Sequence, residues 1–167
     1  MGVGEHKDTA LLIDFGVAKQ YCHPSSHIHI PIEQHGQLIG TPAFTSINSH
    51  LGLELSHRDD LEALAYTLLF LYSGLLPWLG EHQCRSSSIQ QMKQLITFNC
   101  PPELPSELFT FLSYACSLLF AQKPDYDHLQ LILLPAVLSL TTVKKEAEVI
   151  VIAQGLHIDS GTDDKTP

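Results

Sequence analysis

"SHRDDLEALAYTLLFLYSG", residues 56–74, is the stretch that decides the fold of this chain. Asp59 followed three residues later by Glu62 reads as a helix start, with acids placed against the N-terminal dipole. The run that follows, "ALAYTLLFLY", is apolar on every side, which marks a buried central helix rather than a surface one. It should continue to about Ser73 and stop at Gly74, which tolerates the left-handed conformation that ends helices. A membrane span is a poor alternative, since it wants roughly 20 uninterrupted apolar residues. Here Glu62 lies near the start of the apolar stretch, and Gly74 and Pro77 break its end.

Downstream the pattern stays helical. "SSSIQQMKQLITF" places Ile89, Met92, Leu95 and Ile96 on one face. "LPSELFTFLSYACSLLF" repeats Leu104, Leu108, Leu112, Ala115 and Leu119 at helical spacing. "KPDYDHLQLILL" begins after Pro124 with Asp125 as a natural cap, and Pro135 is expected to end it. Residues 143–153 read as helix or strand, and the acidic end from about residue 155 reads as a disordered tail. Upstream, "TALLIDFG" reads as a short buried strand stopped by Gly16. Residues 17–55 are punctuated by Pro and Gly and carry only one β-like run, "HIHIPI". A loop of that length within a compact domain is functional or mobile.

Composition narrows the function classes. The 167 residues carry 18 acids against 9 bases, a net charge of −9, which disfavours phosphate backbones and anionic membranes. No nucleic-acid or membrane partner is therefore expected. Cys22, Cys84, Cys100 and Cys116 are widely spaced without a Cys-x-x-Cys pair, and read as reduced thiols of an intracellular protein, cytoplasmic or nuclear. His27 and His29, with Cys22 and His23 nearby, suggest zinc, but no four-ligand spacing supports it.

His57-Arg58-Asp59 has the letters of a kinase catalytic loop, but that loop needs an Asn five residues after its Asp, and the residue there is Leu64. The triplet also follows "LLIDFGVAK" (residues 11–19) instead of preceding it. It is a decoy. Taken together, "LIDFGVAKQY", "HIHIPI", "LIGTPAFTSINSHLGLELSHRDDLEALAY", "GLLPWLG" and "KPDYDHL" resemble the C-terminal lobe of the casein kinase 1 family of Ser/Thr protein kinases. The Ser-Ile-Asn in place of Ala-Pro-Glu is the most specific element, and the resemblance runs from about Met1 to Leu134.

The resemblance implies a mainly α fold: the C-terminal lobe of a protein kinase, with a short β segment at the N-terminus and a long activation-segment loop. A partial kinase domain would span residues 1–140, with a C-terminal extension over 141–167. Asp14 would bind Mg²⁺ bridging the phosphates of ATP, and Ile13 would line the nucleotide pocket. Phe15 and Gly16 complete that motif. Gly40 and Thr41 would pack the activation segment on the catalytic loop, with Ser46, Ile47 and Asn48 closing the segment. Asp60 would be the buried aspartate that accepts backbone N–H bonds from that loop, and Trp78 a packing residue.

Several kinase parts are missing from the sequence: a complete glycine-rich loop, a strand lysine paired with a helix glutamate, and the catalytic Asp with its Asn. In the family the catalytic loop ends in a stretch resembling Asn-Phe-Leu-Met-Gly, and this chain opens Met1-Gly2, as though cut just after that loop. Ala43, Ala65 and Leu119 stand where the family has Arg, Gly and Arg. The expectations are an inactive chain that binds neither Mg²⁺ nor ATP tightly, an unpaired buried Asp60, exposed apolar surface on the central helix and only partial folding. Two readings stay open, with completion in trans by another chain as a third. One is a fragment of a casein kinase 1-like enzyme, whose partner is the missing N-lobe. The other is a non-catalytic interaction module that meets an unknown protein through its exposed helices.

Overall fold

The computed structural model describes Gly4 and residues 12–79, 86–98 and 104–138. The expectations for residues 143–153 and for the acidic tail lie outside these. The chain divides into two compact units, Met1–Pro31 and Ile32–Pro167. In the first, described residues form loops, with one isolated antiparallel bridge between Cys22 and His29. The expected strand before Gly16 is not formed over its described part. Leu12 and Ile13 are 83% and 76% exposed, with no ladder to join.

In the second unit the described residues are mainly helical. The named helices are α1 (Ile47–His50), α2 (His57–Ser73), α3 (Ser86–Phe98) and α4 (Ser106–Ser117). A fifth, α5, is helical over residues 126–138. α2 packs mainly on α4, α3 packs on α1 and α4, and α1 also meets α2. Leu61, Ala65, Tyr66 and Leu69 of α2 bury themselves with Leu108, Phe111, Leu112 and Ala115 of α4. Ile89 of α3, Leu129 of α5 and the connectors Leu76, Trp78 and Leu118 complete the core.

The helix ends follow from local chemistry. Ser56, not Asp59, caps α2: its backbone N–H donates to Asp59 Oδ2 at 2.8 Å, which puts Asp59 at the third helical position of a capping box. Gly74 ends α2 as expected, with φ 74°, its N–H donating to Phe70 O at 2.8 Å. Asp125 caps α5, accepting from His128 N–H at 2.9 Å. Its own N–H donates to Tyr114 Oη at 2.8 Å, which ties the Lys-Pro-Asp-Tyr turn to α4. Pro135 does not end α5, which continues to residue 138. An interior proline removes one backbone bond and crowds the preceding turn, a cost of about 3 kcal/mol, and no described contact explains how α5 bears it.

Two expectations about faces also change. α2 is not buried all round: Leu64 is 44% and Leu71 72% exposed. On α3, Leu95 is 62% exposed, and Lys93 takes the place expected of it on the inner face.

The chain before α1 is held to the chain after it by a short antiparallel contact. Glu54 N–H donates to Glu33 O at 2.8 Å, and His35 N–H donates to Gly52 O at 2.8 Å. Gly52 has φ 67°, and a Cβ there would lie 2.8 Å from Gly36 Cα. Gly52→Ala is therefore expected to lower stability by at least about 1–2 kcal/mol from the left-handed backbone alone, read as a lower urea midpoint at unchanged m-value.

Candidate functional site

The motif that resembles the metal- and nucleotide-binding end of a kinase lies in the first unit. Asp14 adopts a positive φ of 64°. Gly16 N–H donates to Asp14 Oδ1 at 3.1 Å, a local turn that holds the backbone in that conformation. Ile13 and Phe15 beside it are 76% and 67% exposed. The Cys22 and His29 backbones pair, His29 Nδ1 bonds Ile30 O at 2.9 Å, and His23 Nδ1 bonds Ser25 Oγ at 3.1 Å. No convergent metal cluster forms there among the described residues.

The second unit carries a dense polar junction where the Ser-Ile-Asn run meets α2. Ser46 caps α1 through Ser49 N–H at 3.1 Å and is fully buried. Ile47 N–H donates to Glu62 Oε1 at 2.9 Å, and Tyr66 Oη–H donates to the same oxygen at 2.8 Å. Asn48 Nδ2 donates to Asp59 Oδ1 at 2.9 Å. Thr45 and Ser49 hydroxyls both donate to Ile39 O, at 2.6 and 2.7 Å, which fixes the preceding loop. Gly40, at φ 92°, makes the bend there, and Thr41 O receives the N–H groups of Phe44 and Thr45, both at 2.9 Å.

Lys93 enters this junction from α3. It is fully buried, with Nζ donating to Thr45 O at 2.5 Å and Pro42 O at 2.8 Å, and lying 3.2 Å from His50 Nε2. The ammonium also sits over the Tyr66 and Trp78 rings, 4.6 and 5.5 Å from their centroids. Trp78 Nε1–H closes the cage by donating to Ala43 O at 2.8 Å. Burial pulls Lys93 down to about 8, against the pull of Glu62. Burial likewise lowers His50, with Lys93 adding to it, and raises Glu62, whose two donors oppose the shift.

The burial expected of Asp60 falls to its neighbour. Asp59 is the buried one, 3% exposed, and its carboxylate is shared between the Ser56 and Asn48 donors. Asp60 is exposed, and no hydrogen bond reaches its carboxylate among the described residues. Partial desolvation and then the Asp59 charge push its pKa up, while His57 opposes. The fully buried, unpaired charge expected at this position is replaced by an exposed one, and the folding penalty is reduced to this partial desolvation.

No protein-family model matches the chain. The residues that sequence reading missed are Glu62, taken only as an acid suited to a helix start, and Lys93. A signal for the latter was present: Lys93 stands four residues after Ile89 on the same stripe as Met92 and Ile96. Between α1, α3 and α4 there is also a groove of about 630 Å³, lined in part by Ile47, Gln94 and Cys116. Its lining is mostly apolar, and although Cys116 is exposed at its edge, desolvation and then the Glu62 and Asp59 charges push its thiol up to about 12, so it offers no thiolate nucleophile near neutral pH.

Proposed function

We propose that the chain is C-terminal-lobe sequence of a casein kinase 1-like Ser/Thr kinase and that it transfers no phosphate by itself. The observation that carries the family reading is that two distant parts of the resembling run meet. Ser-Ile-Asn and Arg-Asp-Asp-Leu-Glu join through Ile47–Glu62 and Asn48–Asp59, both at 2.9 Å. In a kinase such a junction would close the activation segment on the central helix. Asp60, exposed and carrying no bond, is where a catalytic loop would donate its N–H groups. Asp14 would hold Mg²⁺ between the phosphates of ATP, supplying the positive charge that phosphoryl transfer needs.

The 167 residues contain no strand lysine with helix glutamate, no complete glycine-rich loop and no catalytic Asp-Asn pair. General acid–base catalysis alone contributes about 10²–10⁴-fold, and positioning multiplies it. Purified chain is therefore expected to give no casein phosphorylation above blank and no micromolar Mg-ATP binding by calorimetry. Micromolar affinity would overturn the inactive reading.

A non-catalytic interaction module is the second reading, favoured by the exposed apolar residues Leu64, Leu71 and Leu75 on and after α2. The mass of the protein in its own cells separates the two. Peptides preceding Met1 support the kinase, whereas an 18.5 kDa species supports the module.

A further inference from the structure

We propose that Glu33, His35 and Glu54 form a binding site for a divalent transition cation of the zinc class. Their ligating atoms, one from each side chain, all lie within 4.8 Å of one another. The backbone explains why they converge. Gln34 and Leu53 form an antiparallel bridge, so Glu33 stands opposite Glu54 and His35 opposite Gly52. Side chains two apart on an extended chain share a face, which puts Glu33 and His35 on the side of Glu54. His35 Nε2 lies 2.6 Å from Glu54 Oε2.

A histidine–glutamate hydrogen bond would account for two of these residues. Glu54 is 4% exposed, and a buried carboxylate needs a partner of that kind. It does not account for the third. Glu33, exposed beside them, brings a second carboxylate oxygen within 4.8 Å of the other two ligating atoms, and the added negative charge favours a cation there. One imidazole nitrogen and two carboxylates are a donor set for zinc or its neighbours. A hard cation such as Ca²⁺ or Mg²⁺ would take oxygen in preference to the imidazole. Three protein ligands leave a position open for water, as in sites that are not purely structural. The cation would replace the proton held between His35 and Glu54, and would clip the chain preceding α1 to the chain that follows it.

The test is a Zn²⁺ titration of chelator-treated full chain by calorimetry, repeated with Glu33→Gln, with Co²⁺ spectra recorded in parallel. Glu33 is exposed and its side chain makes no hydrogen bond among the described residues, so E33Q should keep the wild-type circular dichroism and melt. Wild type should bind one Zn²⁺ per chain and melt at a higher temperature with it. Loss of even an outer-shell partner costs about 10–100-fold in metal affinity, so E33Q should bind at least about tenfold more weakly. Equal affinity in E33Q, no Zn²⁺ binding, or a thiolate-to-cobalt charge-transfer band marking cysteine ligands would each overturn the proposal.

Discussion

Trp78→Ala should remove about 3–5 kcal/mol of stability, the usual cost of truncating a large buried aromatic. Trp78 is 2% exposed and packs edge-on against Tyr66, with ring centroids 5.2 Å apart. Its indole N–H also holds Ala43 O at 2.8 Å, so the truncation opens a cavity and orphans a buried carbonyl together. A domain of this size has about 5–15 kcal/mol to lose, so the variant should be near its folding limit at room temperature. Trp78 is also the single tryptophan, so unfolding must be followed by far-ultraviolet circular dichroism. Trp78→Phe separates the two contributions, because it keeps most of the ring and loses the hydrogen bond. It should cost distinctly less than the alanine variant. Equal urea midpoints for wild type and W78A would mean that the connector after α2 is not part of the core.

How much of this was legible depends on what each residue answers to. Gly74 and Asp125 were readable because a helix end is decided within a few residues of itself. Pro135 misled for the same reason: local preference says stop, and the helix runs on to residue 138. The burial expected of Asp60 rested on the resemblance, and the aspartate that is buried, Asp59, stands one helical position before it. Taking Ser56 as the cap moves Asp59 inward to bond the cap residue, and α2 then turns Asp60 to solvent. The pattern Ser-x-x-Asp was there to be read, but Asp59-x-x-Glu62 competed with it. Glu62, Asn48 and Lys93 belong to a network whose members come from separate segments, and no local window contains it. Glu33, His35 and Glu54 were illegible in the same way, since their meeting depends on the pairing of residues 34 and 53.

Lys93→Met should both destabilise the fold and change the sign with which its stability responds to alkaline pH. Methionine keeps most of the volume and removes the donors to Pro42 O and Thr45 O, now 2.8 and 2.5 Å from Nζ. Thr45 O loses this donor at about 1–3 kcal/mol, whereas Pro42 O keeps His50 Nε2 at 3.0 Å, and the loss is partly offset because no charge is buried any longer. The pH dependence is the sharper readout. Lys93 titrates near its ordinary 10.5 when unfolded and at about 8 in the fold. Between those values the unfolded chain holds more protons, so this group raises stability as pH rises from 8 to 10.5. Its contribution is lost as pH falls back through 8. Cys116 works in the opposite direction. Its folded pKa of about 12 lies above the ordinary 9.0, so its contribution is complete below 9 and is lost as pH climbs towards 12. Wild type should therefore gain stability from pH 8 to about 9 and flatten beyond, once Cys116 begins to oppose. In Lys93→Met the gain should vanish and leave only the decline, whereas Cys116→Ala should extend the gain to about pH 10, where Tyr66, its pKa raised by burial, begins to oppose. Removing Lys93 also takes away a charge that helps to lower His50 and that acts on Glu62, so the comparison is made above pH 8. Tyr66, raised mainly by burial, adds its own decline above about 10 to all three curves. Urea midpoints taken across this range decide it: a rising limb that survives in Lys93→Met would assign the alkaline gain to some other group.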